Sequence, residues 1–215
     1  MNQQKNFIYS DEEGTFLVKL ARKSLTYYLE HGKYIEIPTD TPNKLNKKAG
    51  VFVTLRIFGE PPQTSLRGCI GRPYPEQSLV KATIDSAIDA GINDFRFKKV
   101  KLSELDNIIF EITALTPPVI INAKTPEERL KAVEIGKDGL LIRRKGALPG
   151  HGGLFLPQVP VEWHWNVEEY LTELCHKAGL SSHMWKEIEK TELYKFQGEI
   201  FAEKTPKGEI ERIIL

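Results

Sequence analysis

Leu17, Leu20, Ala21, Leu25, Tyr28 and Leu29 recur at three- and four-residue intervals, the period of one face of a helix. Ser10 and Glu13 ahead of them have the spacing of a capping box, in which each side chain satisfies the other's free backbone N–H. Gly32 is the expected stop. Residues 38–48 contain two prolines and no apolar period, so they read as a surface loop. From residue 50 the period changes to two. Val51, Val53, Leu55 and Ile57 face one way and Phe52, Thr54, Arg56 and Phe58 the other, which predicts a strand with both faces partly covered. The turn at 59–62 returns the chain as a hairpin partner over 64–70.

A second helix is predicted after Pro75, with Leu79, Val80, Ala82, Thr83, Ala87 and Ile88 as its apolar side and Gly91 as its end. Residues 107–115 alternate again and stop at Pro117-Pro118. A short helix is expected over 126–135, stopped by Gly136, and short strands over 139–143 and 154–156, joined by a glycine-rich loop. Asn166 and Glu169 form another capping pair before a helix that runs to Ala178 and closes at Gly179. The tail, 192–202 and 208–214, reads as strands around a turn. Helices and hairpin strands mix without a regular βαβ period, so the fold class is α+β, with a mixed, largely antiparallel sheet and packed helices. No linker or internal repeat divides residues 1–215, which read as one domain.

Composition narrows the function classes. The 215 residues are 40% hydrophobic and 27% charged, enough for a substantial core. A net charge of +1 supplies no global field to attract nucleic acid or anionic lipid. Residues 1–10 lack the apolar segment of a signal peptide, and no apolar run is long enough to cross a bilayer. Two cysteines, Cys69 and Cys175, cannot make a disulfide framework or a multi-cysteine zinc site. A cytoplasmic setting is expected. The histidines, His31, His151, His164, His176 and His183, include no pair with zinc-helix spacing, so no metal and no cofactor are expected.

Candidate chemistry concentrates in Leu66-Arg67-Gly68-Cys69-Ile70-Gly71. On a strand, Arg67 and Cys69 share a face, and a guanidinium beside a thiol favours the thiolate a nucleophile needs. Gly68 and Gly71 would leave backbone open to a ligand. The alternative is that Cys69 is a small buried apolar residue and the glycines make room for a neighbouring helix.

This hexapeptide resembles the signature of the AMMECR family. Further similarities follow in order: Asp94-Phe95-Arg96-Phe97 with a D-x-R-F element, then Leu102-Ser103-Glu104-Leu105, Gly136-Lys137-Asp138-Gly139-Leu140, Leu154-Phe155-Leu156-Pro157-Gln158-Val159, and Cys175-His176-Lys177-Ala178-Gly179-Leu180. The chain departs from the pattern at Pro149-Gly150-His151-Gly152-Gly153, where some relatives carry a basic residue. The resemblance implies two unequal lobes sharing one compact body and implies no reaction. It also implies a functional association with Memo-like and radical-SAM proteins, which occur alongside related microbial domains.

A second constellation is Gln158, Glu162, His164 and Trp165. In an extended segment Glu162 and His164 would share a face, where a carboxylate could make the histidine a general base; otherwise they form an amphipathic rim. Arg96, Lys98, Lys99 and Lys101 interleave with Phe95 and Phe97, and Arg143, Arg144 and Lys145 form a second basic run. Either could contact phosphates or be a solvated rim. Two functions remain open. One is an enzyme acting on a small anionic ligand in a cleft of Arg67, Cys69, Gln158, Glu162 and His164, with Arg67 on the anion, Cys69 as nucleophile and His164 as proton shuttle. The other is a non-catalytic module for a protein partner or nucleic acid.

Overall fold

The computed structural model describes residues 8–147 and 151–214, so the polar stretch before residue 8 and Pro149-Gly150 of the glycine-rich loop lie outside the described residues. The elements in chain order are α1 (Asp11–His31), β1 (Val51–Ile57), β2 (Leu66–Arg72), α2 (Leu79–Ile92), β3 (Ile108–Leu115), β4 (Val119–Ile120), α3 (Pro126–Lys131), β5 (Gly139–Arg144), β6 (Gly153–Phe155), α4 (Val159–Glu162), α5 (Val167–Lys177), β7 (Thr191–Phe196), β8 (Gly198–Glu203) and β9 (Ile210–Ile213). The architecture is α+β. Two compact units result, one running to Leu115 and resuming at Glu199–Ile214, the other Thr116–Gly198.

In the first unit five strands lie in the order β2-β1-β3-β8-β9, with β2 and β9 at the edges. β1 is antiparallel to both β2 and β3. Its alternation works as read: Val51, Val53 and Leu55 are fully buried beneath α1 and α2, beside Leu17, Leu25, Leu79, Ile84 and Ile88. The capping box at Ser10 and Glu13 starts α1, and Gly32 at φ 66° ends it. α2 differs from expectation at both ends. Ser78 caps it, accepting from the Lys81 N–H, and it continues past Gly91 to Ile92. Gly91 sits inside the helix because a Cβ there would lie 2.7 Å from the Leu25 methyls, so the glycine sets the approach of α2 to α1. The 38–48 connection is not wholly superficial: a 3-10 turn at Asn43–Asn46 buries Leu45 completely.

The second unit has four strands in the order β4-β7-β5-β6, with α5 packed on them through Tyr170, Leu171, Leu174 and Cys175. The Asn166–Glu169 capping box and Gly179 at φ 66° bound α5 as the sequence predicts. α3 stops at Lys131, short of the predicted Ile135. Arg129 on it is 2% exposed, and its guanidinium donates to the Trp185 carbonyl (2.7 Å) and to the Thr191 hydroxyl (2.8 Å) and carbonyl (2.7 Å), which ties α3 to β7. The tail departs most from expectation. What reads as one strand over 192–202 is two, β7 and β8, which join different sheets in different units. Among the described residues no helix is long and apolar enough to cross a membrane.

One buried ion pair holds α1 to the sheet of the first unit. Glu203 on β8 accepts from Arg22 Nε at 2.5 Å and from the Phe110 N–H at 3.0 Å, with the Arg22 side chain 12% and the Glu203 side chain 3% exposed. Removing one member of such a pair strands the other charge. Arg22→Met is therefore expected to lower unfolding free energy by about 3–5 kcal/mol in urea titrations at neutral pH. Adding Glu203→Gln should recover part of the loss. A cost under about 1 kcal/mol for the single change would contradict the assignment.

Candidate functional site

The hexapeptide occupies β2, an edge strand. An antiparallel ladder turns the N–H and C=O of alternate residues away from the neighbouring strand, and an edge leaves them exposed. At Cys69 these groups meet side chains instead of another strand. The Cys69 N–H donates to Asp94 Oδ2 at 2.9 Å, and its carbonyl accepts from Arg96 Nη2 at 3.2 Å. Asp94 and Arg96 are themselves paired, with Arg96 Nη2 2.7 Å and Nε 2.9 Å from the carboxylate. Together they do what one residue of an adjacent strand would do. Burial pushes the Asp94 carboxyl up, but hydrogen bonds from Arg96 and from the Cys69 and Arg96 N–H groups outweigh it and hold the group below its ordinary range.

Arg67 makes a second tie. The sequence places it beside the thiol as an activating cation; in the structure its Nε and Nη2 hold Glu104 at 2.9 and 3.2 Å, and its Nη1 donates to the Lys98 carbonyl at 2.8 Å. Glu104 is held below the usual carboxylate range, chiefly by this contact. The segment between α2 and β3 is thus fastened to β2 at Cys69 and at Arg67. The expectation of open backbone at the two glycines also changes. A Cβ on Gly68 would fall 2.1 Å from the Ala90 carbonyl oxygen, and one on Gly71 2.2 Å from the Phe52 ring. Protein atoms fill both spaces.

The register sets Cys69, Thr54 and Glu111 in one row across β2, β1 and β3, and Gly71, Phe52 and Thr113 in the next. The Thr54 hydroxyl donates to Cys69 Sγ at 3.4 Å, Arg56 holds Glu111 at 3.1 Å, and the fully buried Thr113 hydroxyl has no partner among the described residues. Burial pushes the Cys69 thiol up, against the Thr54 hydrogen bond; Glu111 adds to the rise, and Arg96 and Arg56 oppose it more weakly. Burial therefore favours a neutral thiol, the reverse of what a nucleophile needs. Cys175, in the second unit, is fully buried and likewise raised by burial.

The other predicted site residues, Gln158, Glu162 and His164, belong to the second unit, whereas Arg67, Gly68, Cys69, Gly71 and Arg96 belong to the first. Gln158 is 8% exposed, and its Oε1 has no partner among the described residues. Glu162 ends the helical turn α4, and His164 follows in the left-handed region at φ 55°, both exposed. The extended alternation that would align them is absent, because Val159-Pro160 starts a helix, with proline suited to its first turn.

Alkylation of native Cys69 by iodoacetamide should keep accelerating above the ordinary thiol value of about 8.5; a plateau near neutral pH would contradict the raised thiol. Asp94→Asn should destabilise the protein at pH 7 by about 1–2 kcal/mol, a figure discounted for the half-exposed Arg96. Because the folded Asp94 carboxyl is depressed, its contribution is complete above the ordinary value of 3.8 and is lost as pH falls through the lower folded value. The gap between wild type and Asp94→Asn, measured by thermal unfolding, should therefore close in acid; a constant gap would remove the carboxylate from the clasp.

The comparisons agree with the motifs. The AMMECR1 family model matches residues 18–201, which span both units. A Pyrococcus abyssi protein is 52% identical over 202 residues, covering 94% of this chain and 96% of its own. A Methanocaldococcus jannaschii protein is 45% identical over 199 residues, 93% and 94% of the two chains. The crystal structure of an uncharacterised protein from Pyrococcus horikoshii matches with a TM-score of 0.91 at 50% identity, covering 97% of this chain and 100% of that one. From the hexapeptide through the five ordered motifs to this shared fold, the chain belongs to the AMMECR1 family.

Proposed function

We propose that this protein is a non-catalytic binding module that presents its 94–99 loop to an acidic surface on a protein partner. The observation that carries the reading is Phe95, 95% exposed on a loop whose backbone is locked. Asp94 and Arg96 on either side of it are bound to Cys69, the Phe97 N–H donates to the Asp94 carbonyl at 3.1 Å, and the Val100 N–H to the Gly91 carbonyl at 2.8 Å. A large apolar side chain held in water at a fixed position is pre-organised to be buried by something else, and binding it costs little ordering entropy. Burying a phenylalanine yields about 1.5–3 kcal/mol. Lys98 and Lys99 follow it on the same loop, both exposed, so a partner carrying carboxylates is the complementary one.

The environment of Cys69 supports the same reading. Its thiol is raised, and the nearby Arg67 and Arg96 already hold Glu104 and Asp94. Nucleic acid fits less well: a net charge of +1 and a basic loop of a few residues offer no continuous phosphate track.

A photo-crosslinking amino acid at position 95, in the host cell, tests the reading. Crosslinks should concentrate on one acidic protein, and Lys98→Glu with Lys99→Glu should reduce them about tenfold or more without changing thermal stability. Crosslinks to nucleic acid, or a yield that ignores both charge reversals, would overturn it.

A further inference from the structure

The second unit contains a groove that the loop reading does not use. It has a volume of about 330 Å³ and lies where the end of β5, the start of β6 and the turn after α5 meet. Arg143, Arg144 and His151 line it, and the rest of its described lining carries no acidic side chain. Ala147, Gly152, Ala178 and Gly179 contribute only backbone and methyl groups, and among the described residues Leu180 is the one long apolar side chain of the lining. The sequence shows these parts separately, as a basic run and a glycine-rich loop, and the β5–β6 pairing brings them together.

We propose that this groove binds the phosphate of a small phosphomonoester. Arg143 is fixed in advance: its Nε holds Glu192 at 2.7 Å and its Nη2 donates to the Tyr194 hydroxyl at 2.7 Å. These bonds commit its guanidinium to β7, and as the strand neighbour of Arg144 it faces the other way, so Arg143 bounds the groove without supplying the free charge. Arg144 is exposed and makes no ion pair among the described residues, so it supplies the unanswered charge. A guanidinium fork matches the geometry of phosphate oxygens, and an imidazole adds a donor in either tautomer. The C-terminal end of α5 would by its dipole disfavour an anion. That effect is blunted here, because the carbonyls of Leu174, Cys175 and His176 accept from the N–H groups of Ala178, Leu180 and Gly179 at 2.9–3.1 Å. His176 and Lys177 stand in the same last turn.

Size selects the ligand class. A space of about 330 Å³ lies at the small end of metabolite pockets, which span roughly 300–1,000 Å³. It accommodates a phosphorylated sugar-sized molecule and not a duplex or a folded partner. The proposal stands apart from the loop reading, since every residue it uses lies in the other unit.

The experiment is a titration followed through the backbone amide signals of Gly152 and Gly179, with ribose 5-phosphate and inorganic phosphate as separate probes. Both signals should shift with ribose 5-phosphate at millimolar concentration or below, and inorganic phosphate should bind several-fold more weakly. Arg144→Glu should weaken ribose 5-phosphate about tenfold or more, and Arg144→Lys should retain part of the affinity. Arg144 is exposed, so unchanged thermal unfolding in these variants is expected and checks that the fold is intact. No shift up to about 10 mM would overturn the proposal, as would a shift that survives Arg144→Glu. Equal affinity for the two probes would overturn the phosphomonoester assignment and leave a site for inorganic anions.

Discussion

The first unit depends on how the open edge of its sheet is closed at Cys69. An edge strand presents backbone groups that must bond to something, and in water they are also a template for pairing with another chain. Here an aspartate accepts the N–H and an arginine donates to the C=O of the same residue, and the two side chains are bonded to each other. Two short motifs that lie apart in the sequence are thus the two halves of one contact. Gly68 lets the last turns of α2 reach the strand, and α2 in turn delivers Asp94 to it.

The same arrangement sets the chemistry. A thiol next to two arginines is, on a list of residues, an activated nucleophile. In three dimensions each arginine already holds a carboxylate and a backbone carbonyl, and burial dominates at the sulfur. On the proposed reading the motif serves as a clasp between β2 and the loop after α2. Its consequence is a loop that holds Phe95 in water, a position that an unanchored segment would leave by collapsing onto the nearest apolar surface.

Much of this fold was legible in the sequence, and the reasons differ from element to element. α1, α5 and β1 were readable because capping boxes, stop glycines and strict periodicity agree locally. Gly91 misled because a glycine serves equally to end a helix and to let two helices touch, and only the position of Leu25 distinguishes the uses. The tail misled because hydrophobic alternation continues through Gln197 while the chain passes from one sheet to another; periodicity records burial and not which sheet provides it. In the candidate site, the hexapeptide and the D-x-R-F element were visible as motifs. Their contact was not, since it depends on the course of α2. The exposure of Phe95 was hidden for a related reason: a phenylalanine between Asp and Arg looks the same in sequence whether it is buried or displayed.

Amide hydrogen exchange over residues 94–100, compared between the wild-type protein and Asp94→Asn, tests the clasp most directly. If the Asp94 carboxylate locks the loop to β2, protection at Arg96, Phe97 and Val100 should fall about tenfold or more in the variant, while Val53 and Ile112 in the centre of the sheet keep theirs. Unchanged protection at Phe97 and Val100 would show that the loop is held by something other than its contact with Cys69.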